Sequence, residues 1–260
     1  MKILALDFDG VAADSIKDSL FTAYNVYLKF NPKTKIFNAN KLTFDNFEEI
    51  TAENKNIFKK FRFLRTFATG AKYLIVCCYI IENNEDIKNQ KQFNEYCNRF
   101  DKDKLESFQK EFYVERKRIL SLDLEKWYKL SPPFKKIIPQ FNKLLEKDNV
   151  FIVTSKDKNA IIKLGTYYPL NIDENKIIDK DIGLNKAEKL EFLSKKYDVE
   201  KKDVVLVDDL LEHLLNIKKN GFTGFMATWG YNNIEQQKEA EEKGITLLTP
   251  DDFYEVLCHL

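Results

Sequence analysis

Histidine and cysteine are scarce in this chain, and their scarcity removes several classes of function at the outset. There are two histidines, His213 and His259, and four cysteines, Cys77, Cys78, Cys97 and Cys258. No CxxC pair occurs and no histidine cluster accompanies the cysteines, so neither a zinc site nor a disulfide framework is indicated. A surplus of one charge is lacking too. Lys and Arg number 42 against 41 Asp and Glu, a net charge of +1, which argues against nucleic acid or an acidic membrane surface as the main partner. The apolar run Tyr73 to Ile81 is too short to span a bilayer. Met1 leads straight into an apolar strand rather than a signal peptide, so a reducing cytoplasm is the expected location. Internal repeats and low-complexity tracts are absent from the sequence. What remains is 260 residues, 44% hydrophobic, enough for one large domain or for a core with a smaller partner domain.

The stretch that organises the rest is KILALDFDGVAADS, Lys2 to Ser15. Ile3 to Leu6 form a short apolar run that ends at Asp7 and Asp9, with Gly10 directly behind. This pattern predicts a buried parallel strand with two acids at its carboxyl end. A strand covered on both faces tolerates no charge along its length, so those acids belong in the crevice where open α/β sheets bind ligands. Two carboxylates so close repel unless a cation or a shared proton relieves them, which makes a hard, oxygen-loving ion such as Mg²⁺ the natural third party. The plain alternative is that the acids merely end a strand and begin a loop.

Beyond Ser15 the spacing is helical. Ile16, Leu20, Phe21, Tyr24 and Leu28 form one amphipathic face, and helical segments continue to Leu130, separated at Asn31-Pro32, Gly70, Asn83-Asn84 and Asp101. No alternating strand pattern interrupts them, which predicts an all-helical insert. Ser131-Pro132-Pro133 closes it, because consecutive prolines hold the chain extended. After a helix predicted over 134–147, strands and helices alternate: strands over 150–153, 176–179, 204–207, 223–227 and 245–248, and helices near 158–167, 186–196, 210–220 and 234–243. Such alternation means a parallel sheet with crossover helices.

Three further stretches stand at strand ends or helix starts. FIVTSK places Thr154 and Ser155 where a hydroxyl and free amides can hold phosphate oxygens; an ordinary helix N-cap is the alternative. Lys186 opens an amphipathic helix, with Lys189 and Lys180 as weaker candidates for the same role. VVLVDDLLEH ends a second β-branched run in Asp208 and Asp209. Four acids on adjacent strand tips would be intolerable without a divalent ion.

DFDGVAADS resembles the first motif of the haloacid dehalogenase (HAD) superfamily of Mg²⁺-dependent phosphohydrolases, and the three later stretches resemble that family's remaining motifs in the required order. The likeness extends to its phosphoglycolate phosphatase-like members with a helical cap of the first class. It implies a Rossmann-like, doubly wound α/β core formed by residues 1–14 and 131–260, with an all-α cap over residues 15–130 inserted after the first strand. It also implies Asp7 as nucleophile and Asp9 as general acid/base. Thr154, Ser155, Lys186 and Gly10 are then expected to hold the substrate phosphate, and Mg²⁺ to sit on Asp7, the carbonyl of Asp9, Asp209 and Asp208. Aligned on the family's Gly-Asp form, Asp209 is the matching ligand, Asp208 replaces Gly, and His213 stands where a later acid would be. The implied function is hydrolysis of a small-molecule phosphomonoester through an aspartyl-phosphate. Alternatives within the fold are a sugar phosphomutase, a phosphonate-cleaving enzyme with a cap lysine, and an idle scaffold that binds a partner. A dehalogenase is disfavoured because its pattern lacks the second acid. Arg62 and Arg65 either reach substrate or form a solvated helix face.

Overall fold

The computed structural model describes residues 2–260, and two compact units are found: residues up to Asp14 together with Pro132–Leu260, and Ser15–Ser131. The chain enters the first unit with β1 (Ile3–Leu6) and passes to the second for α1 (Ile16–Phe30), α2 (Phe47–Glu53), α3 (Lys55–Arg65), α4 (Leu74–Glu82), α5 (Gln90–Cys97), α6 (Lys102–Leu122) and α7 (Leu124–Tyr128). It returns with α8 (Ile138–Leu145), β2 (Val150–Val153), α9 (Lys158–Tyr167), β3 (Ile177–Ile178), α10 (Lys186–Lys196) and β4 (Val204–Asp208). The chain then runs through α11 (Leu211–Lys219), β5 (Thr223–Ala227), α12 (Ile234–Glu242), β6 (Thr246–Leu248) and α13 (Phe253–Leu257).

The six strands form one sheet in the order β3-β2-β1-β4-β5-β6, every pair parallel. This is the α/β class the alternating pattern implied. β1 and β2 are buried at all four positions, as strands covered on both faces must be. Ile3 and Ala5 pack with Phe151, Val153 and Leu206 and with Leu190, Leu193 and Leu214 of the helices. From β1 the order runs outward in opposite directions, to β2 on one side and to β4 on the other. At such a reversal the connecting helices diverge and leave a crevice beyond the carboxyl ends. Asp7 follows β1, Thr154 follows β2, and Asp208 is the last residue of β4.

Two local differences from the sequence reading have simple causes. The helix expected from Phe134 begins at Ile138, with Pro139 in its first turn, because proline lacks the amide that a helix interior requires. β4 extends one residue further than expected, through Asp208, which pairs with Met226.

Among the described residues the second unit contains helices and no strand. Its interior carries a buried ion pair: Arg116 Nη2 lies 3.0 Å from Asp18 Oδ2, with the two side chains 6% and 0% exposed. Trp127 Nε1 donates to Asp18 Oδ1 at 3.0 Å, and the Arg116 guanidinium lies 4.5 Å from the centre of the Phe112 ring. Removing one partner of such a pair strands the other charge in an apolar interior. Arg116→Leu is therefore expected to cost about 3–5 kcal/mol in urea unfolding, and an Asp18→Leu/Arg116→Leu double variant much less than the two single losses combined. A single-variant loss below about 1 kcal/mol, the range of an exposed pair, would contradict the assignment.

Candidate active site

Asp7 continues the β1 ladder by one residue, its amide donating to Val207 O at 2.9 Å. Its Oδ1 accepts the Phe8 amide at 2.8 Å and lies 2.8 Å from Lys186 Nζ. Lys186 is the first residue of α10, whose N-cap is Asn185; the Asn185 side chain accepts from the Glu188 amide. The same ammonium lies 3.1 Å from Asp208 Oδ2 and donates to Val153 O at 2.5 Å. An ammonium has three protons, and here three acceptors from the ends of β1, β2 and β4 receive them. The Lys186 side chain is 1% exposed, so the arrangement is a buried triad.

The charges follow from that burial. Burial pushes the Asp7 carboxyl up to about 6; Lys186 opposes the shift and Asp208 adds to it. Burial acts on Asp208 in the same sense, yet His213, Lys186 and the Leu210 amide outweigh it and hold this carboxyl well below the usual range. Burial would lower Lys186, but the two carboxylates hold it above the ordinary ammonium value. His213 Nδ1 stands 3.0 Å from each oxygen of Asp208. Asp7, Asp208 and His213 each offer a ligand atom within 4.8 Å of the others. Two buried carboxylates and an imidazole at that spacing fit a divalent cation.

Asp208 and Asp209 part company, because successive residues of a strand point to opposite faces. Asp208 joins Asp7 and Lys186. Asp209 is fully buried, and its Oδ2 accepts the Tyr231 amide at 2.5 Å. The carboxylate occupies the space where a Cβ on Gly10 or Gly230 would fall. Gly10, at φ +85°, is thus required by both conformation and packing. Its amide donates to Ala13 O at 2.8 Å. The short turn after the strand thereby satisfies its own backbone.

Asp9 faces a different lysine. Lys156 Nζ lies 3.0 and 3.1 Å from its two carboxylate oxygens, with the Lys156 side chain fully buried and that of Asp9 19% exposed. Thr154 Oγ1 accepts the Lys156 amide at 3.1 Å, and Ser155 lies half-buried between them. The N-cap of α9 is Asp157, whose side chain accepts from the Ala160 amide at 3.0 Å. Capping therefore does not account for Thr154 or Ser155. Of the weaker candidates, Lys189 donates to Asp179 O and is pushed down to about 8, chiefly by burial and by Lys186, while Lys180 pairs with the neighbouring Asp181. In the second unit, Arg65 Nη1 donates to Ala68 O at 2.6 Å just beyond its own helix.

Sequence reasoning passed over Lys156 and the segment Trp229 to Tyr231. Trp229 Nε1 donates to Val11 O at 3.0 Å, and Tyr231 Oη donates to Asp14 Oδ1 at 3.1 Å, so this segment fixes the loop after β1. Lys156 was recoverable in principle, as a cation two residues beyond a strand end in a motif already singled out. The aromatic segment carried no such signal.

Neither a protein-family model nor a curated protein sequence matches the chain. Solved structures do. A hydrolase from Pseudomonas syringae superposes with a TM-score of 0.60 at 12% identity, over 100% of this chain and 99% of that one. A haloacid dehalogenase-like family hydrolase from Streptococcus pneumoniae gives 0.55 at 13% identity, over 100% and 98%. A predicted phosphoglycolate phosphatase from Haemophilus somnus gives 0.58 at 14%, over 98% and 97%. The chain has the haloacid dehalogenase-like fold.

The electrostatics of Asp7 are testable without substrate. Its folded-state value, about 6, lies above its ordinary 3.8, so the folded chain binds the extra proton between those values and its stability falls as pH rises through that window. Asp7→Asn, which never ionises, is expected to melt above wild type near pH 7 in the presence of chelator. The difference should shrink as pH approaches about 4. A difference that grows on acidification would contradict the environment described for Asp7.

Proposed function

We propose that the protein is a Mg²⁺-dependent phosphohydrolase that cleaves a small-molecule phosphomonoester through an aspartyl-phosphate on Asp7. The observation that carries this reading is the buried triad: a carboxylate at the switch point of the sheet, kept near a lysine that three strand ends hold in place. The fold and the Asp7-x-Asp9 spacing support it in the same direction. No described helix is long and apolar enough to cross a membrane.

In the first step an Asp7 oxygen attacks phosphorus as the bond to the ester oxygen breaks, and Asp9, entering the step in its protonated form, gives that oxygen its proton. In the second, Asp9, now a carboxylate, takes a proton from water as the water oxygen attacks phosphorus, releasing phosphate and restoring Asp7. Thr154 and Ser155 hold the phosphoryl oxygens, and Lys186, whose protons go to Asp7, Asp208 and Val153 O, offsets their charge. Asp7, the backbone carbonyl of Asp9 and Asp208 are the proposed holders of Mg²⁺; Asp209, expected from the sequence to join them, is turned to the Tyr231 amide instead. When bound, that ion neutralises charge on the transferring group. Lys156 keeps Asp9 aimed from the end of β2.

The test is release of phosphate from sugar phosphates, nucleotides, phosphoglycolate and an aryl phosphate, with Mg²⁺ or with chelator. Turnover is expected only with the ion. Asp7→Asn should lose it by at least about a thousandfold, and Asp9→Asn by about a hundred- to ten-thousandfold. Lys186→Met should cost a comparable factor by freeing Asp7 from its counter-charge. Turnover that survives in Asp7→Asn, or none on any ester from folded wild type, would overturn the reading. Conversion of a bisphosphate-primed sugar phosphate without phosphate release would transfer it to a mutase.

A further inference from the structure

His213 occupies a place that hydrogen-bond accounting alone does not require. Asp208 is satisfied without it: Oδ1 accepts the Leu210 amide at 2.9 Å, and Oδ2 lies 3.1 Å from Lys186 Nζ. The imidazole is nonetheless brought to 3.0 Å from both oxygens, and one N–H cannot align with two acceptors at once. The ring is 13% exposed on its side-chain surface and stands in the first turn of α11, fixed by its amide donating to Leu210 O at 3.1 Å. Together with Asp7 and Asp208 it completes the one cation-type group found among the described residues.

We propose that His213 is itself a ligand of the divalent ion, through a ring nitrogen, and that the site in consequence takes Mn²⁺ in preference to Mg²⁺. Mg²⁺ favours oxygen donors only and keeps its waters, whereas imidazole is a borderline donor that suits the first-row transition ions. Carboxylates alone leave Mn²⁺ a modest advantage; a nitrogen ligand enlarges it. The inference rests on the proposed function only in using Asp7 and Asp208 as the ion's carboxylates. It concerns binding, so it stands or falls separately from turnover.

The experiment is pulsed EPR of Mn²⁺ added to the metal-free full-length protein, prepared with natural-abundance and with ¹⁵N-labelled histidine. Only two histidines exist in the chain, and His259 lies outside the cluster. A nitrogen coupling on the bound ion is expected in wild type, replaced by the ¹⁵N pattern on labelling, retained in His259→Gln and lost in His213→Gln. Competition titration should give His213→Gln a Mn²⁺ affinity lower by about ten- to a hundredfold with Mg²⁺ affinity changed far less. Bound Mn²⁺ without histidine coupling in the wild type would overturn the proposal, and that measurement needs no variant to fold. So would coupling that persists in His213→Gln, or a failure of Mn²⁺ to bind. Histidine coupling in a protein that hydrolyses no ester would uphold the ligand and sink the phosphatase; turnover without coupling would do the reverse.

Discussion

Carboxylates at the tips of buried strands must be neutralised, and in this chain one ammonium meets most of that need. Lys186 Nζ is shared among Asp7, Asp208 and the carbonyl of Val153. These come from the ends of β1, β4 and β2, the three strands that flank the reversal in strand order. Parallel register brings the ends level, with Leu6 opposite both Ile152 and Val207. A helix capped by Asn185 begins at the lysine and brings it to them. An uncompensated carboxylate at such depth would be far costlier than the pairing seen, so sheet order, helix start and site chemistry are one constraint.

A second acid and a second lysine stand beside the first pair under different conditions. Asp7 and Lys186 are both almost closed to solvent, whereas Asp9 keeps a partly open edge while its partner Lys156 is fully buried. Two carboxylates two residues apart are thereby given unlike surroundings, as the proposed division between nucleophile and proton carrier requires. The loop that follows them is held by Trp229 and Tyr231. Asp209, which fills the space under Gly10 and Gly230, closes it from below.

The alternation of apolar runs and helical spacings made the sheet legible, because central parallel strands read as unbroken apolar segments. Helix α10 and strand β5 have the very bounds their sequence implies. Less legible was anything decided by direction at a strand end. Asp208 and Asp209 are equivalent as letters, and only the added residue of β4 determines which of them faces Lys186. The close packing at Gly10 was equally hidden, because it requires knowing where Asp209 points. Lys156 was one lysine among many until its burial distinguished it. The Trp229–Tyr231 contacts join residues more than two hundred positions apart, which no local pattern encodes.

The central claim is that Asp7, held by Lys186, forms the covalent bond to phosphorus. Acid quenching of the wild type within milliseconds of mixing with an aryl phosphate and Mg²⁺, followed by peptide mapping, tests it most directly. The account predicts one phosphoryl group on the peptide containing Asp7, released by hydroxylamine as an acyl phosphate would be. A phosphoryl group on any other residue, or none while the aryl alcohol is released in a burst, would contradict it.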